Sequence, residues 1–275
     1  NSTAEMLAHG YAEDGKDVAL KSAMAGLDME MTSTTYADHL QKLIEEKRFS
    51  VSELDELVKN VLRMKFRTGI FDNPYFKGRE KFKLLESSSL ALAQEAAVKS
   101  CVLLKNSNHI LPIKTSSQLA VIGPLADAPK EQLGTWIFDG NKQDTHTPFQ
   151  ALKATYGAGN IHYAAGLSHS RSESEEGFAE AIKAAQKADV IVFFAGEEAI
   201  LSGEAHSRAN ISLPGKQEQL IEELSKLGKP VVLVIMAGRL IAIDRLLPKI
   251  PAVVMAWHPG TMGGPALADL LSGKV

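Results

Sequence analysis

Three carboxylates follow the most strand-like run of the sequence. Residues Asp189–Ala195 form an apolar, β-branched and aromatic run of strand length, and Gly196 ends it. The polar loop that follows carries Glu197, Glu198 and Glu204. Carboxyl groups donate and accept protons in enzyme reactions, and open α/β sheets bind ligands just past the carboxyl ends of their strands. This loop is therefore the first place to look for chemistry.

The elements that would position this loop alternate between strand and helix from residue 86 onward. Apolar runs predict strands at 102–104, 119–122, 161–163, 189–195, 231–236 and 252–256. Helical periodicity predicts helices at 86–100, 175–187, 217–227 and 264–271. Strands that alternate with helices of this length predict a mainly parallel sheet covered on both faces. The expected fold class is α/β.

The first 72 residues have a different pattern. Residues 25–31 alternate apolar and acidic side chains, which predicts a brief strand. A helix is predicted at 36–47, and a second helix opens at a capping box formed by Ser50 and Glu53. Helical periodicity at 14–24 precedes the strand, and this order of helix, strand and helix indicates a piece of a βα-barrel.

A break in periodicity separates these two regions. Residues Asp72–Tyr75 and the basic stretch 77–83 show neither helical nor strand spacing, which marks a linker. We expect a first domain at 1–72, a linker at 73–85 and a second domain at 86–275.

Composition excludes several classes of protein. The chain has 275 residues, 45% of them apolar and 23% charged, which is ordinary for a globular protein. Its net charge of −3 and the absence of a run of like charges argue against nucleic acid as a partner. No segment reaches the roughly 18 apolar residues of a membrane span, so no membrane partner is expected.

Nucleotide, metal and other cofactor sites lack their usual motifs. The sequence has no G-x-G-x-x-G after a strand, no Walker-type loop and no H-E-x-x-H. Its eight histidines show no ligand spacing, so none is expected to bind a metal. We expect a protein without cofactor or metal.

Several blocks in a fixed order nevertheless resemble a known family. They include AGLDMEM at 25–31, VLRMKFRTGIFDNPY at 61–75, SGEAHSR at 202–208, GKPVVLVIMAGR at 228–239 and AWHPGTMGG at 256–264. Together they resemble glycoside hydrolase family 3, in its bacterial β-glucosidase branch, over nearly the whole chain. The resemblance implies that residues 1–72 are the C-terminal part of a (β/α)8 barrel. It also implies that residues 86–275 are an α/β sandwich domain, incomplete at its C-terminus, and that the active site lies between the two.

The resemblance also implies an activity and one catalytic residue. Such enzymes are retaining, exo-acting β-glucosidases that release terminal β-D-glucosyl residues from β-linked gluco-oligosaccharides by double displacement. Retention requires two carboxyl groups about 5 to 5.5 Å apart. By the family pattern Glu204 is the acid/base, and the nucleophilic aspartate is expected just upstream of Asn1. This chain alone is therefore expected to be inactive without the N-terminal barrel part of the same protein.

Three further residues are candidates for substrate binding. Trp136 could stack its ring on a sugar, or it could lie in the core. Glu197 could contact substrate, or it could fix the loop. Arg208 could pair with a carboxylate, or it could face solvent.

Other readings of the function stay open at this point. A β-xylosidase of the same family is the nearest alternative, and a non-catalytic carbohydrate-binding α/β module is the second. A β-N-acetylglucosaminidase of the family is disfavoured because such enzymes commonly take their acid/base from a His-Asp pair in the barrel. The resemblance implies a periplasmic or secreted protein.

Overall fold

The computed structural model describes residues 3–75 and 83–275. The chain divides into two units, Asn1–Lys83 and Leu84–Val275. Residues 76–82, the middle of the predicted linker, lie outside the described residues.

The first unit is helical in its described part. The helices are α1 (Glu5–Ala8), α2 (Gly15–Met24), α3 (Thr35–Glu45) and α4 (Val51–Arg67). They bury a small apolar cluster made of residues from α2 to α4, including Leu40, Leu43 and Leu57. The predicted capping box opens α4: the Ser50 hydroxyl accepts a hydrogen bond from the Glu53 N–H at 3.2 Å, and the Glu53 carboxylate accepts one from the Ser50 N–H at 2.7 Å.

The strand predicted at 25–31 is wrong. Residues 3–75 contain no strand, so this segment has no neighbour with which to pair. Instead Glu30 accepts a hydrogen bond from the Tyr36 N–H at 2.8 Å, in the first turn of α3. Three hydroxyl groups also donate to its carboxylate, those of Thr3, Ser33 and Thr35. The acidic residue that suggested an alternating strand therefore satisfies the start of a helix, whose first N–H groups lack partners within the helix.

The second unit is built on a six-stranded sheet. The strands are β1 (Val102–Asn106), β2 (Leu119–Ile122), β3 (Ile161–Ala164), β4 (Val190–Gly196), β5 (Val231–Met236) and β6 (Ala252–Met255). Their order in the sheet is β1-β6-β5-β4-β2-β3, in which β1 pairs antiparallel with β6 and all other pairs are parallel. The prediction of a mainly parallel α/β sheet is confirmed.

Helices cover both faces of this sheet. Along β4, Ile191 and Phe193 belong to one apolar cluster and Val192 and Phe194 to another, and all four are fully buried. Successive side chains of a strand point to opposite faces, so each face has its own core. The helices are α5 (Ser87–Ser100), α6 (Pro129–Leu133), α7 (Pro148–Tyr156), α8 (Phe178–Gln186), α9 (Gln217–Ser225) and α10 (Gly263–Ser272).

The strand order reverses between β2 and β4. From β2 the chain moves outward to β3, and it then returns to place β4 on the other side of β2. Such a switch point leaves a crevice at the carboxyl ends of the two strands, where open α/β sheets bind ligands. The loop after β4, which carries the three carboxylates, starts at this crevice.

Candidate active site

Glu197, the first residue after β4, is turned into the protein. Its N–H donates to the Met236 carbonyl at 2.9 Å, and its side chain is 0% exposed. Arg208 donates to one carboxylate oxygen, and the Arg239 Nε donates to the other at 3.1 Å. A buried carboxylate is stable only when it is paired and hydrogen-bonded in this way. Of the two roles left open for Glu197, the geometry favours fixing the loop, and Arg208 pairs with a carboxylate rather than facing solvent.

Glu198 is bound by residues of the segment that follows β3. Arg171, in the segment after β3, donates to both carboxylate oxygens at 3.1 Å, and the Ser170 hydroxyl donates at 2.7 Å. The hydrogen bond from Arg171 has the largest influence on the pKa of the Glu198 carboxyl. Together with the Ser170 bond it outweighs burial and lowers the pKa of the Glu198 carboxyl to about 2. Glu198 is therefore ionised at neutral pH.

The middle of the loop is bound to the segment that follows β2. The Glu131 carboxylate accepts a hydrogen bond from the Ala199 N–H at 2.6 Å. The Thr135 hydroxyl lies 2.9 Å from the Ala199 carbonyl and 3.0 Å from the Ser202 carbonyl. These contacts connect the two loops that flank the crevice.

A histidine just beyond the end of β6 also contacts the loop that begins at Glu197. The Ser202 hydroxyl lies 3.3 Å from Nε2 of His258, a mostly buried residue whose pKa is lowered by that burial. Gly238 allows this contact, because a Cβ there would lie 2.3 Å from the Ser202 hydroxyl oxygen. The loop that begins at Glu197 follows β4, and segments after the other four parallel strands therefore contact it.

Glu204 differs from the other two carboxylates of the loop. It lies in a turn closed by a hydrogen bond from the His206 N–H to the Gly203 carbonyl at 3.2 Å. The residue is exposed, and among the described residues its carboxylate has no hydrogen-bond or ion-pair partner. Ala205, the next residue, has φ 61°, a left-handed conformation that is uncommon for a residue with a side chain. The turn thus presents one unpaired carboxyl group from a multiply bonded loop.

Trp136 lies beside this turn. A Cβ at Gly203 would be 3.6 Å from the Trp136 Nε1, and the residue before the tryptophan is Thr135, which is bonded to the loop. Trp136 is 60% exposed, and its ring lies 5.9 Å from that of Phe138 at 49°. Its ring is therefore available to a ligand rather than packed in the core.

In residues 3–75 and 83–275, no group of three or more His, Cys, Asp or Glu side chains is arranged to hold a metal ion. The same residues include no helix with the length and hydrophobicity that a bilayer span requires.

Comparison with known proteins decides the family. Residues 101–275 match the model of the glycosyl hydrolase family 3 C-terminal domain. The chain belongs to glycoside hydrolase family 3. The resemblance identified from the sequence blocks is confirmed.

Relatives of known structure or activity match almost the whole chain. A periplasmic β-glucosidase of Salmonella typhimurium is 34% identical over 98% of this chain and 39% of its own length. A β-xylosidase of Formosa agariphila is 31% identical over 97% of this chain and 39% of its own length. The crystal structure of the Listeria innocua β-glucosidase in complex with isofagomine matches with a TM-score of 0.91 and 36% identity, over 100% of this chain and 38% of that one. The chain thus spans about two fifths of the length of these family 3 relatives.

Several residues of the candidate site were not predicted from the sequence. Arg239 and His258 each lie three residues beyond the end of a buried strand, and polar residues in such positions were the available signal. Gln217, at the start of α9, is fully buried and donates to the carbonyls of Gly196 and Ser170 at 2.8 and 2.9 Å. A buried amide of this kind has no distinguishing sequence pattern.

Proposed function

We propose that this chain is part of a retaining, exo-acting β-glucosidase, in which Glu204 is the catalytic acid/base. The unit Leu84–Val275 would be the α/β sandwich domain, and the first 72 residues would be the end of the (β/α)8 barrel. The substrate would be a β-linked gluco-oligosaccharide with a terminal non-reducing β-D-glucosyl residue. Membership of family 3, together with the named β-glucosidase relatives, supports this substrate class.

The exposed, unpaired carboxyl of Glu204 is the observation that carries the proposal. An acid/base must reach the glycosidic oxygen and must alternate between protonated and ionised forms. Glu197 is buried between two guanidinium groups and Glu198 is held ionised by Arg171, so neither is placed to do this. Glu204 is the carboxylate of the loop that can meet a substrate.

In the proposed mechanism Glu204 acts in both steps. It first protonates the departing glycosidic oxygen while a nucleophilic carboxylate attacks the anomeric carbon from the opposite face. It then removes a proton from the water that releases the glucosyl group. The nucleophile would be an aspartate just upstream of Asn1, so two parts of the protein would each supply one carboxyl group. Trp136 would stack on the sugar beside the turn, while Glu197 and Arg208 would hold the loop.

The test replaces Glu204 by Ala in a full-length protein that carries this chain. An alkoxide must be protonated as it leaves, whereas a dinitrophenolate need not be. We therefore expect kcat/KM for cellobiose to fall by about 10²- to 10⁴-fold and kcat/KM for a dinitrophenyl β-glucoside to stay near that of the wild type. The second step still lacks its base in this variant, which lowers kcat for the aryl substrate. Azide needs no deprotonation, so it should raise that kcat again and give β-glucosyl azide.

Glu176→Ala provides the matched control, since Glu176 is an exposed carboxylate of the same unit with no place in the proposed site. It should leave both substrates unaffected. A uniform loss in Glu204→Ala across leaving groups, without an azide adduct, would move the acid/base role away from Glu204. It would also favour a non-catalytic, carbohydrate-binding role for this domain.

A β-xylosidase is the second candidate, because several β-xylosidases match about as much of the chain as the β-glucosidase does. The ratio of kcat/KM for an aryl β-glucoside to that for the aryl β-xyloside decides between them. We propose a periplasmic or secreted location, supported by the periplasmic relative from Salmonella typhimurium.

A further inference from the structure

Arg239 reaches the turn of Glu204 from the neighbouring strand. It lies three residues past the end of β5, and its side chain is 22% exposed. Arg239 Nη2 donates to the carbonyls of Leu201 and of His206, the latter at 2.7 Å. Leu201 comes just before the turn from Gly203 to His206, and His206 is the last residue of that turn. A single guanidinium group thus connects the two ends of the segment that carries Glu204.

The other side of the same guanidinium is bonded to a buried charge. Arg239 Nε donates to Glu197 at 3.1 Å, and Glu197 is itself fixed to β5 through its backbone bond to Met236. The planar guanidinium has five N–H donors in a rigid arrangement, so it can bind a carboxylate and two carbonyls at once. A lysine would keep the charge, but its three donors lie on a single nitrogen and do not reproduce the fixed spacing of Nε and Nη2. The geometry therefore requires an arginine, not only a cation.

The turn needs such support because Glu204 has none of its own. No described residue binds the Glu204 carboxylate, so the backbone of the turn sets its position. Ala205 holds a left-handed conformation, which persists only where the surrounding contacts impose it. The two carbonyl bonds of Arg239 supply contacts of that kind on both sides of the turn.

We propose that Arg239 is a positioning residue that holds the Glu204 carboxyl at the glycosidic oxygen; this rests on the acid/base role proposed for Glu204. Arg239 touches neither substrate nor reacting atoms in this role. Its loss should displace Glu204, and a misplacement of about 1 Å can cost roughly 10²-fold in rate. The loss should fall on reactions that need proton transfer.

The test compares leaving groups in the full-length protein with Arg239→Lys, which keeps the positive charge beside Glu197. We expect kcat/KM for cellobiose to fall by about ten- to a hundredfold and kcat/KM for a dinitrophenyl β-glucoside to stay near that of the wild type. Arg245→Gln is the matched control, because Arg245 is an exposed arginine beyond the same strand, outside the proposed machinery. It should change neither value.

Arg239→Ala adds a chemical readout. Guanidinium ion at millimolar concentration should restore part of the cellobiose activity of Arg239→Ala but none of that of Glu204→Ala. If Arg239→Ala does not fold, Arg239→Lys decides alone. An equal loss for both leaving groups, or no loss for cellobiose, overturns the positioning role.

The two proposals fail in distinguishable ways. If Glu204→Ala shows the leaving-group difference and Arg239→Lys does not, Glu204 remains the acid/base and the inference about Arg239 is wrong. If Glu204→Ala lacks that difference, the acid/base assignment itself fails.

Discussion

Three carboxylates within one loop have three different environments. Glu197 is buried between two guanidinium groups, Glu198 is held by an arginine and a serine, and Glu204 is exposed without a partner. Guanidinium groups occupy the carboxylates of Glu197 and Glu198, which leaves the carboxyl of Glu204 as the one of the three that is free to meet a ligand. Neighbouring residues therefore give three identical side chains different environments, as is common where carboxyl groups lie close together.

The environment of Glu198 predicts an acid-dependent contribution to stability. Its pKa is about 2 in the folded chain, against about 4.3 in an unfolded one. The stabilisation is thus complete above the unfolded pKa and is lost as the pH falls toward the folded pKa. Because Arg171 is half exposed, we expect the stabilisation by the Glu198–Arg171 pair to be about 1 kcal/mol. Glu198→Gln should lower the melting temperature of the 275-residue chain at neutral pH, and the difference from the wild type should shrink with acid.

Thermal melts at several pH values between about 6 and 2 provide the measurement, and this range spans both pKa values. Glu176→Gln, which alters an exposed carboxylate that is not bound to Arg171, should not reproduce the effect. A melting difference for Glu198→Gln that stays constant with pH would mean that the Arg171 pair does not titrate as described.

At the scale of elements, the parallel pairing of β4 with β5 depends on one glycine at its end. Gly196 has φ 139°, and a Cβ there would lie 1.8 Å from the Met236 carbonyl oxygen. Such a contact forces two paired strands apart at the origin of the loop that carries Glu204. We expect Gly196→Ala to destabilise the second unit by at least about 3 kcal/mol, which corresponds to a fall in melting temperature of about 6 °C or more.

Gly159→Ala is the comparison for this substitution. A Cβ at Gly159 meets no atom within 4 Å, so the same chemical change should alter stability by no more than about 0.5 kcal/mol. Equal melting temperatures for the two variants would show that the paired strands β4 and β5 tolerate a side chain at position 196.

The sequence predicts elements well where one local signal dominates. Buried strands such as β4 and β5 are continuous apolar runs, and the capping box of α4 is visible as Ser50 and Glu53. The helix α7 was missed, although Thr147 and Gln150 form a capping box at its start. The predicted strand at 25–31 failed because alternation is not sufficient for a strand; a neighbour must also be present to accept its hydrogen bonds.

The site could be predicted only in part, for a related reason. The position of Glu204 past a strand is local information, and the acid/base role proposed for it comes from the family resemblance. The contacts of Glu197 with Arg208 and Arg239 join residues 11 and 42 positions apart, and only the strand order brings the second pair together. Whether Trp136 is exposed or buried depends on the same packing.

At the scale of the whole molecule, the two units have unequal cores. The second unit buries a separate apolar cluster on each face of its sheet. The first unit buries one small cluster. It also leaves several large apolar side chains of α4 exposed, namely Val58, Leu62, Met64 and Phe66. Since burial of apolar surface is the main source of folding free energy, the two units should differ in their ability to fold alone.

We therefore predict that residues 84–275, produced without the first unit, fold into the same sheet and unfold cooperatively. Their melting temperature should match that of the sheet in the 275-residue chain, because the apolar clusters of both faces lie within this range. Residues 1–83 alone should give no cooperative transition and should bind a hydrophobic dye, since their exposed apolar face on α4 costs stability. Circular dichroism melts of the two fragments, compared with the 275-residue chain, provide the measurement. A broad, non-cooperative melt of residues 84–275 would contradict the prediction, because it would mean that the sheet depends on the first unit for part of its core.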